Sequence, residues 1–215
     1  MTREERIKEA EELIKQDNYQ EALMKYVTIW KDTPFDLKVI ERIQFLYSRI
    51  HEGTLDFQPS TSETYMFRGI SRFWEQDLEN SIKNLDQAIK LDPKNHYAYK
   101  SRAFSKLHSN KGKEAFDDIR QAIDINPAGE YIDNLAQFYS EIGDTANALK
   151  YYQKAAETEP DNARLWYNYG VELMENKEYQ RAYEMYKKAV ELWPQYPDAN
   201  SNIQYLLDAG LVKRK

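Results

Sequence analysis

The sequence contains no cysteine, which excludes disulfide bonds, thiolate metal sites and cysteine nucleophiles. Glycine and proline are scarce, at 7 residues each among 215, and this argues against disorder, collagen-like repeats and turn-rich all-β folds. No run of about 18 apolar residues occurs, so no transmembrane helix is expected. The charged N-terminal segment, MTREERIKEAEELI, lacks the apolar core of a signal peptide. We therefore expect a cytoplasmic protein without membrane insertion.

Basic residues are the minority among the charged ones, with 30 Lys and Arg against 36 Asp and Glu. Nucleic-acid binding needs a basic face, so no nucleic-acid partner is expected. The three histidines, His51, His96 and His108, share no metal-ligand spacing. No glycine-rich phosphate loop, nucleophile elbow or paired-carboxylate motif occurs either. The sequence therefore predicts no catalytic residues, no metal site and no cofactor.

What the sequence does contain is an internal repeat. Prolines recur at spacings of 34, 33 and 34 residues: Pro93, Pro127, Pro160 and Pro194. Small residues precede each proline at fixed distances: Ala88, Ala122, Ala155 and Ala189, then Ser81, Ala115, Ala148 and Ala182, then Gly69, Ala103, Ala136 and Gly170. Two short antiparallel helices pack tightly only if small side chains lie where the helix axes cross and large ones, such as Tyr152 and Tyr186, lie beside them. Each proline ends a second helix and begins the turn into the next unit.

One stretch, WYNYGVELMENKEYQRAYEMYKKAVELWP, carries the pattern most fully, with Trp166, Tyr169, Gly170, Leu173, Ala182, Tyr186, Ala189 and Pro194. This set of residues and the period resemble the tetratricopeptide repeat (TPR) family. The resemblance implies an all-α fold, a right-handed superhelical solenoid of antiparallel helix hairpins closed by a C-terminal capping helix. It also implies that the first helix of each hairpin lines a concave face, which in this family binds an extended peptide.

The N-terminal part matches the pattern less regularly. Arg3–Lys15 and Asn18–Pro34 are predicted to form a TPR-like hairpin, and Asp36–Ile50 an orphan helix, because Leu37, Ile40, Ile43 and Tyr47 recur at helical spacing. Ser60 and Glu63 are predicted to form a capping box for the next helix. The expected organisation is a hairpin plus orphan helix at 1–50, an irregular connection at 51–62, four repeats and a capping helix at 63–209, and a basic tail at 210–215.

A line of asparagines is the first candidate binding feature. Asn134, Asn168 and Asn202 recur at 34-residue intervals, and Ser101 and Phe67 take the same position upstream. In the TPR family such asparagines hold the backbone amides of a bound peptide, since an Asn side chain offers both a donor and an acceptor. The alternative interpretation is that these are ordinary surface residues.

A second candidate is a carboxylate clamp like that of chaperone-binding relatives. Lys100 and Asn134 match its pattern, and Arg164 matches by charge, but Phe104 and Asn168 replace an expected Asn and Arg. Aromatic residues at inward positions form the third candidate, as anchors for a peptide: Phe73, Trp74, Tyr97, Phe104, Tyr167 and Tyr205. The alternatives are solvated charges for the clamp and inter-repeat core for the aromatics.

The sequence thus predicts a non-catalytic protein–protein interaction module, a scaffold, adaptor or co-chaperone. Its expected partner is another protein, bound through a peptide or tail segment. Two alternatives stay open at this point: a self-assembling scaffold that forms a homo-oligomer, and a regulatory subunit of a separate enzyme.

Overall fold

The computed structural model describes residues 2–32, 38–39, 42–43, 46 and 61–213, and within these ranges every regular element is a helix. Eleven helices have both ends there: α1 (Arg3–Lys15), α2 (Tyr19–Asp32), α3 (Ser62–Trp74), α4 (Leu78–Leu91), α5 (His96–His108), α6 (Gly112–Ile125), α7 (Gly129–Glu141), α8 (Thr145–Thr158), α9 (Ala163–Glu175), α10 (Tyr179–Leu192) and α11 (Pro197–Asp208). Neighbouring helices pack in pairs, such as α3 with α4 and α9 with α10. The predicted all-α fold of helix hairpins is confirmed.

The chain divides into two compact units, unit 1 at residues 1–115 and unit 2 at residues 116–215, and the boundary falls within α6. The core of unit 1 includes Tyr26 and Leu85, and that of unit 2 includes Leu165 and Tyr186. Of the orphan-helix residues named from the sequence, only Ile43 lies among the described residues, where it is helical and fully buried. The others, like the predicted connection up to residue 60, lie outside the described residues.

The small residues of the repeat occupy the predicted helix crossings. All twelve are buried. Gly69 faces the side chain of Leu85, and Gly170 faces the ring of Tyr186, each across its own hairpin. The prediction that the repeat encodes close contact within hairpins is therefore confirmed.

Each hairpin turns through three residues, and the middle one has a positive φ. These residues are Asp17, Gln76, Asn110, Gly143 and Lys177, with φ between 57° and 77°. Only one of the five is glycine, although the left-handed region costs other residues roughly 1 kcal/mol. The packing of the paired helices therefore fixes the turn geometry, since the turn residues themselves vary.

The helix α3 begins differently from the prediction. Ser60 lies outside the described residues, and the N-cap is Thr61, whose side chain accepts a hydrogen bond from the backbone N–H of Thr64. The Thr64 hydroxyl in turn accepts one from the backbone N–H of Thr61. The predicted box of Ser60 and Glu63 is wrong by one residue, because a threonine hydroxyl at each end of the box makes the same reciprocal contacts.

A buried hydrogen-bond chain joins three helices of unit 1. Asn95, the N-cap of α5, accepts from the backbone N–H of Ala98 and donates through Nδ2 to Ser62 Oγ at 2.8 Å. Ser62 donates to the carbonyl of Ala88, also at 2.8 Å.

Asn95→Ala is expected to lower the free energy of unfolding by about 2 kcal/mol, because it removes a cap and leaves Ser62 without a buried donor. Urea unfolding followed by circular dichroism measures the change. Asn84→Ala, on α4, is the control and is expected to change stability by less than about 0.5 kcal/mol. Equal stabilities of the two variants would contradict the interpretation.

Candidate peptide-binding residues

Of the three asparagines of the predicted line, Asn134 and Asn168 lie on the first helices of successive hairpins in unit 2 and Asn202 lies on the capping helix α11, and each is half-buried. Their surroundings differ. Asn168 donates through Nδ2 to both carboxylate oxygens of Asp133, at 3.0 Å each. Asn202 lies beside the hydroxyls of Tyr167 and Tyr186. The three positions are therefore chemically unequal, unlike the rungs of a regular ladder.

Asn134 differs again, because its Oδ1 is buried and accepts no hydrogen bond from any described residue. Buried polar atoms are nearly always paired in proteins, and an unpaired one costs about 1–3 kcal/mol. Asn134 therefore has an acceptor that no described residue satisfies.

Asp133 is a residue that sequence reasoning missed. Its side chain is almost fully buried, and Arg164 Nη1 lies 3.6 Å from its Oδ2. Burial raises the pKa of Asp133 to about 6, against the opposing effects of the Asn168 hydrogen bond and the Arg164 charge. A signal was present: the same repeat position is Lys100 and Tyr167 in the neighbouring copies, so an acid there is out of pattern.

This cluster changes the role expected of Arg164. The sequence assigned Arg164 to the acidic groups of a partner, whereas the structure pairs it with an acid of its own chain. Its side chain is still 48% exposed, so it reaches solvent. Two further clamp positions, Lys100 and Phe104, belong to unit 1, and the clamp itself stays a prediction.

The electrostatic character of this part of unit 2 is acidic. Burial raises the pKa of Tyr152, and the negative charges of Asp133 and Glu172 raise it further. Glu172 is itself buried, and its Oε1 accepts from Asn176 Nδ2 at 3.1 Å. These two acidic side chains beside Tyr152 are therefore buried hydrogen-bond acceptors.

The two predicted aromatic anchors of unit 2 behave in opposite ways. Tyr167 packs between Tyr186 and Tyr196, with ring centroids 5.7 and 4.9 Å away, and burial raises its pKa. Tyr205 on α11 is 56% exposed. Tyr167 thus contributes mainly to packing between helices, which was the alternative interpretation, and Tyr205 is accessible.

In unit 1 the aromatic candidates form a small cluster at the ends of α3 and α5. Phe73 makes edge-to-face contacts with Trp74 and with His108, at centroid distances of 5.4 and 5.3 Å. Trp74 is 67% exposed. His108, which the sequence left without a role, is part of this cluster.

The other two aromatic candidates of unit 1 lie on α5. Tyr97 packs partly against the core, with Lys100 Nζ 5.7 Å from its ring centroid. Phe104 is half-buried, and its carbonyl oxygen lies 3.0 Å from His108 Nδ1.

The described ranges contain no group of His, Asp and Glu residues arranged to hold a metal ion. None of their helices is long and apolar enough to cross a membrane.

Two family models match the chain. Residues 63–95 match the tetratricopeptide repeat, and residues 132–212 match the middle TPR-like domain of cilia and flagella-associated protein 70. Tetratricopeptide repeat protein 6 of Homo sapiens is 30% identical over 108 residues, covering 50% of this chain and 21% of the relative. The protein STIP1 homolog of Dictyostelium discoideum is 31% identical over 100 residues, covering 46% of this chain and 18% of the relative.

A solved structure, the APC/C hetero-tetramer Cut9-Hcn1, has a TM-score of 0.62 at 15% identity over 90% of this chain and 40% of that one. The chain spans about a fifth of the length of the two relatives. Both family models describe tetratricopeptide repeats. The helix hairpins, with small residues where the helices cross, fit the same repeat. The chain therefore belongs to the tetratricopeptide repeat family.

Proposed function

We propose that this chain is a non-catalytic protein–protein interaction module that binds an extended segment of a partner along the first helices of unit 2. One observation carries the proposal: Asn134, in the line with Asn168 and Asn202, has a buried side-chain oxygen that accepts no hydrogen bond from the described residues. When the half-buried Asn134 side chain turns outward, a backbone N–H of a bound segment is a donor of the required kind for this oxygen.

The rest of the face supports the same ligand. Asp133 engages the Asn168 amide nitrogen, so the side-chain oxygen, an acceptor, is the group by which Asn168 would bind a partner. Tyr205 supplies an exposed aromatic ring on the adjoining helix. Acceptors along the helices and an aromatic anchor together suit an extended backbone with at least one apolar side chain.

Membership of the tetratricopeptide repeat family supports a general role in protein–protein interaction. TPR repeats generally act as interaction modules, and the solved structure with a TM-score of 0.62 is a hetero-tetramer. A role as scaffold, adaptor or co-chaperone fits this, and the proposed function contains no chemical step.

Asn134→Ala is expected to weaken partner binding about tenfold, which corresponds to about 1.4 kcal/mol. Proteins captured from the source cells with the wild type are identified, and a synthetic peptide from the captured protein is titrated by calorimetry. Asn84→Ala is the matched control, a half-buried helical asparagine in unit 1, and is expected to bind the peptide as the wild type does.

Equal peptide affinities for wild type and Asn134→Ala would overturn the proposed binding face.

Self-assembly is the alternative function, and two exposed apolar side chains favour it: Leu192 and Trp193, at the end of α10, are 41% and 50% exposed. Sedimentation of the same samples measures the oligomeric state. A concentration-dependent mass without any captured partner would favour this alternative.

A further inference from the structure

The first helices of the hairpins end differently in the two units. In unit 1, α3 and α5 carry basic residues in their last turns: Arg72, Lys106 and His108. In unit 2, α7 ends at Glu141 and α9 ends at Glu175, and neither last turn contains a basic residue. The C-terminus of a helix carries a partial negative charge, which favours basic side chains there and disfavours acidic ones. The two glutamates therefore lie where the helices themselves would favour lysine or arginine.

A third glutamate of these helices, Glu172, is buried without a cation beside it. It is only 5% exposed, its Oε1 accepts from Asn176 Nδ2 at 3.1 Å, and no described residue donates to its Oε2. Glu141 likewise accepts from a neutral amide, that of Gln137. No lysine or arginine of the described residues forms an ion pair with Glu141, Glu172 or Glu175. Within the described chain, three negative charges at these helix ends are therefore not neutralised by a cation.

The three glutamates act on one point, the hydroxyl of Tyr152 on α8. Burial raises the pKa of Tyr152, and four carboxylates raise it further: Asp133, Glu172, Glu175 and Glu141. Arg164 lies 3.6 Å from Asp133 and offsets its charge, which leaves the three glutamates. We call these glutamates and the Tyr152 hydroxyl the acidic site. They are not arranged to hold a metal ion, so the cation that suits them is a basic side chain.

We propose that the acidic site receives a lysine or arginine side chain of the segment that binds along α7 and α9, so the partner segment is basic. The inference rests on the proposed function and names the chemistry of its partner. Lysine and arginine side chains carry donors and no acceptor, which matches carboxylate oxygens that lack a donor from the described residues. A positive charge here is also favoured by the two helix C-termini. Glu141 and Glu175 are exposed, so a side chain reaches the site from solvent.

The test titrates the full chain with labelled synthetic peptides and measures fluorescence anisotropy at constant ionic strength. The peptides alternate alanine with lysine, arginine, glutamine or glutamate. A basic peptide is expected to bind saturably, and the glutamine and glutamate peptides at least about tenfold more weakly. Added salt is expected to weaken the binding of the basic peptide, because it screens the charges.

Glu175→Gln and Glu141→Gln are each expected to weaken binding of the basic peptide about five- to tenfold, the loss of one charge-assisted contact. Glu191→Gln is the matched control, because it makes the same charge change at an exposed position of α10 in the same unit. It is expected to bind the basic peptide as the wild type does. Circular dichroism of each variant verifies that helicity is unchanged.

The inference is overturned if neither basic peptide binds saturably, or if the glutamate peptide, which has the charge that the clamp prediction implies, binds as tightly. It is also overturned if Glu175→Gln binds the basic peptide as tightly as Glu191→Gln does.

Asn134→Ala separates this inference from the proposed function. Weaker binding of the basic peptide by both Asn134→Ala and Glu175→Gln supports the two together. Weaker binding by Glu175→Gln alone would keep the acidic site and contradict the peptide face. A peptide from the captured partner that needs Asn134, but binds Glu175→Gln and Glu191→Gln equally, would keep the peptide face and contradict the acidic site.

Discussion

Gly170→Ala is expected to lower the free energy of unfolding by about 2 kcal/mol, although alanine is the better helix former. A Cβ atom at Gly170 would lie 2.6 and 2.7 Å from the Cε1 and Cδ1 atoms of Tyr186. Carbon atoms do not approach so closely, and the Tyr186 ring is fully buried and has no solvent-facing position to move to. Helices α9 and α10 must therefore separate. Urea unfolding monitored by circular dichroism measures the loss.

Gly112→Ala is the control for this prediction, since a Cβ there meets no atom within 4 Å. It is expected to be neutral or stabilising by up to about 1 kcal/mol. In a Tyr186→Leu background the penalty of Gly170→Ala is expected to shrink, because the clashing ring atoms are gone. A Gly170→Ala protein as stable as the wild type would show that the crossing tolerates an added methyl group.

The second large expected effect is a pH dependence of the free energy of unfolding, which originates at Asp133. Its pKa in the folded protein is about 6, against about 4 for an ordinary aspartate. The folded state therefore binds this proton more tightly than the unfolded chain does. The resulting contribution to stability is fully present below about pH 4 and is lost as the pH rises through about 6, a loss of about 3 kcal/mol.

Asp133→Asn removes this contribution and keeps an oxygen that can accept from Asn168. The stability of Asp133→Asn relative to wild type is expected to rise by about 3 kcal/mol between pH 4 and pH 7.5. Arg164 loses its partner in this variant, but its half-exposed side chain is solvated by water. Asp161→Asn, at an exposed position, is the control. Urea unfolding across this pH range checks the prediction, and parallel curves for Asp133→Asn and wild type would refute it.

The fold could be predicted in detail because its determinants are local and repeated. The 34-residue period located the hairpins, and the small residues located the crossings, as the contact of Gly170 with Tyr186 shows. The capping helix was expected to end at residue 209, and α11 ends at Asp208. The start of α3 was missed by one residue, because several hydroxyl side chains before a helix can all act as caps.

The candidate site was less predictable. The spacing of the asparagines indicated a candidate binding face. It did not indicate that Asn168 is hydrogen-bonded to Asp133, which lies 35 residues earlier and is outside the asparagine pattern. Tyr167 satisfied the pattern of an inward anchor and yet packs between two other tyrosines.

By itself the sequence determined the helices, their pairing into hairpins and the membership of the repeat family. These depend on the periodic burial of small and apolar residues, and periodicity can be read along the chain. Only the tertiary structure decided that Asp133 is buried, that Asn168 is bonded to it and that the Asn134 oxygen accepts from none of the described residues. Those properties depend on rotamers and on the exclusion of water between hairpins, which no single segment of the sequence specifies.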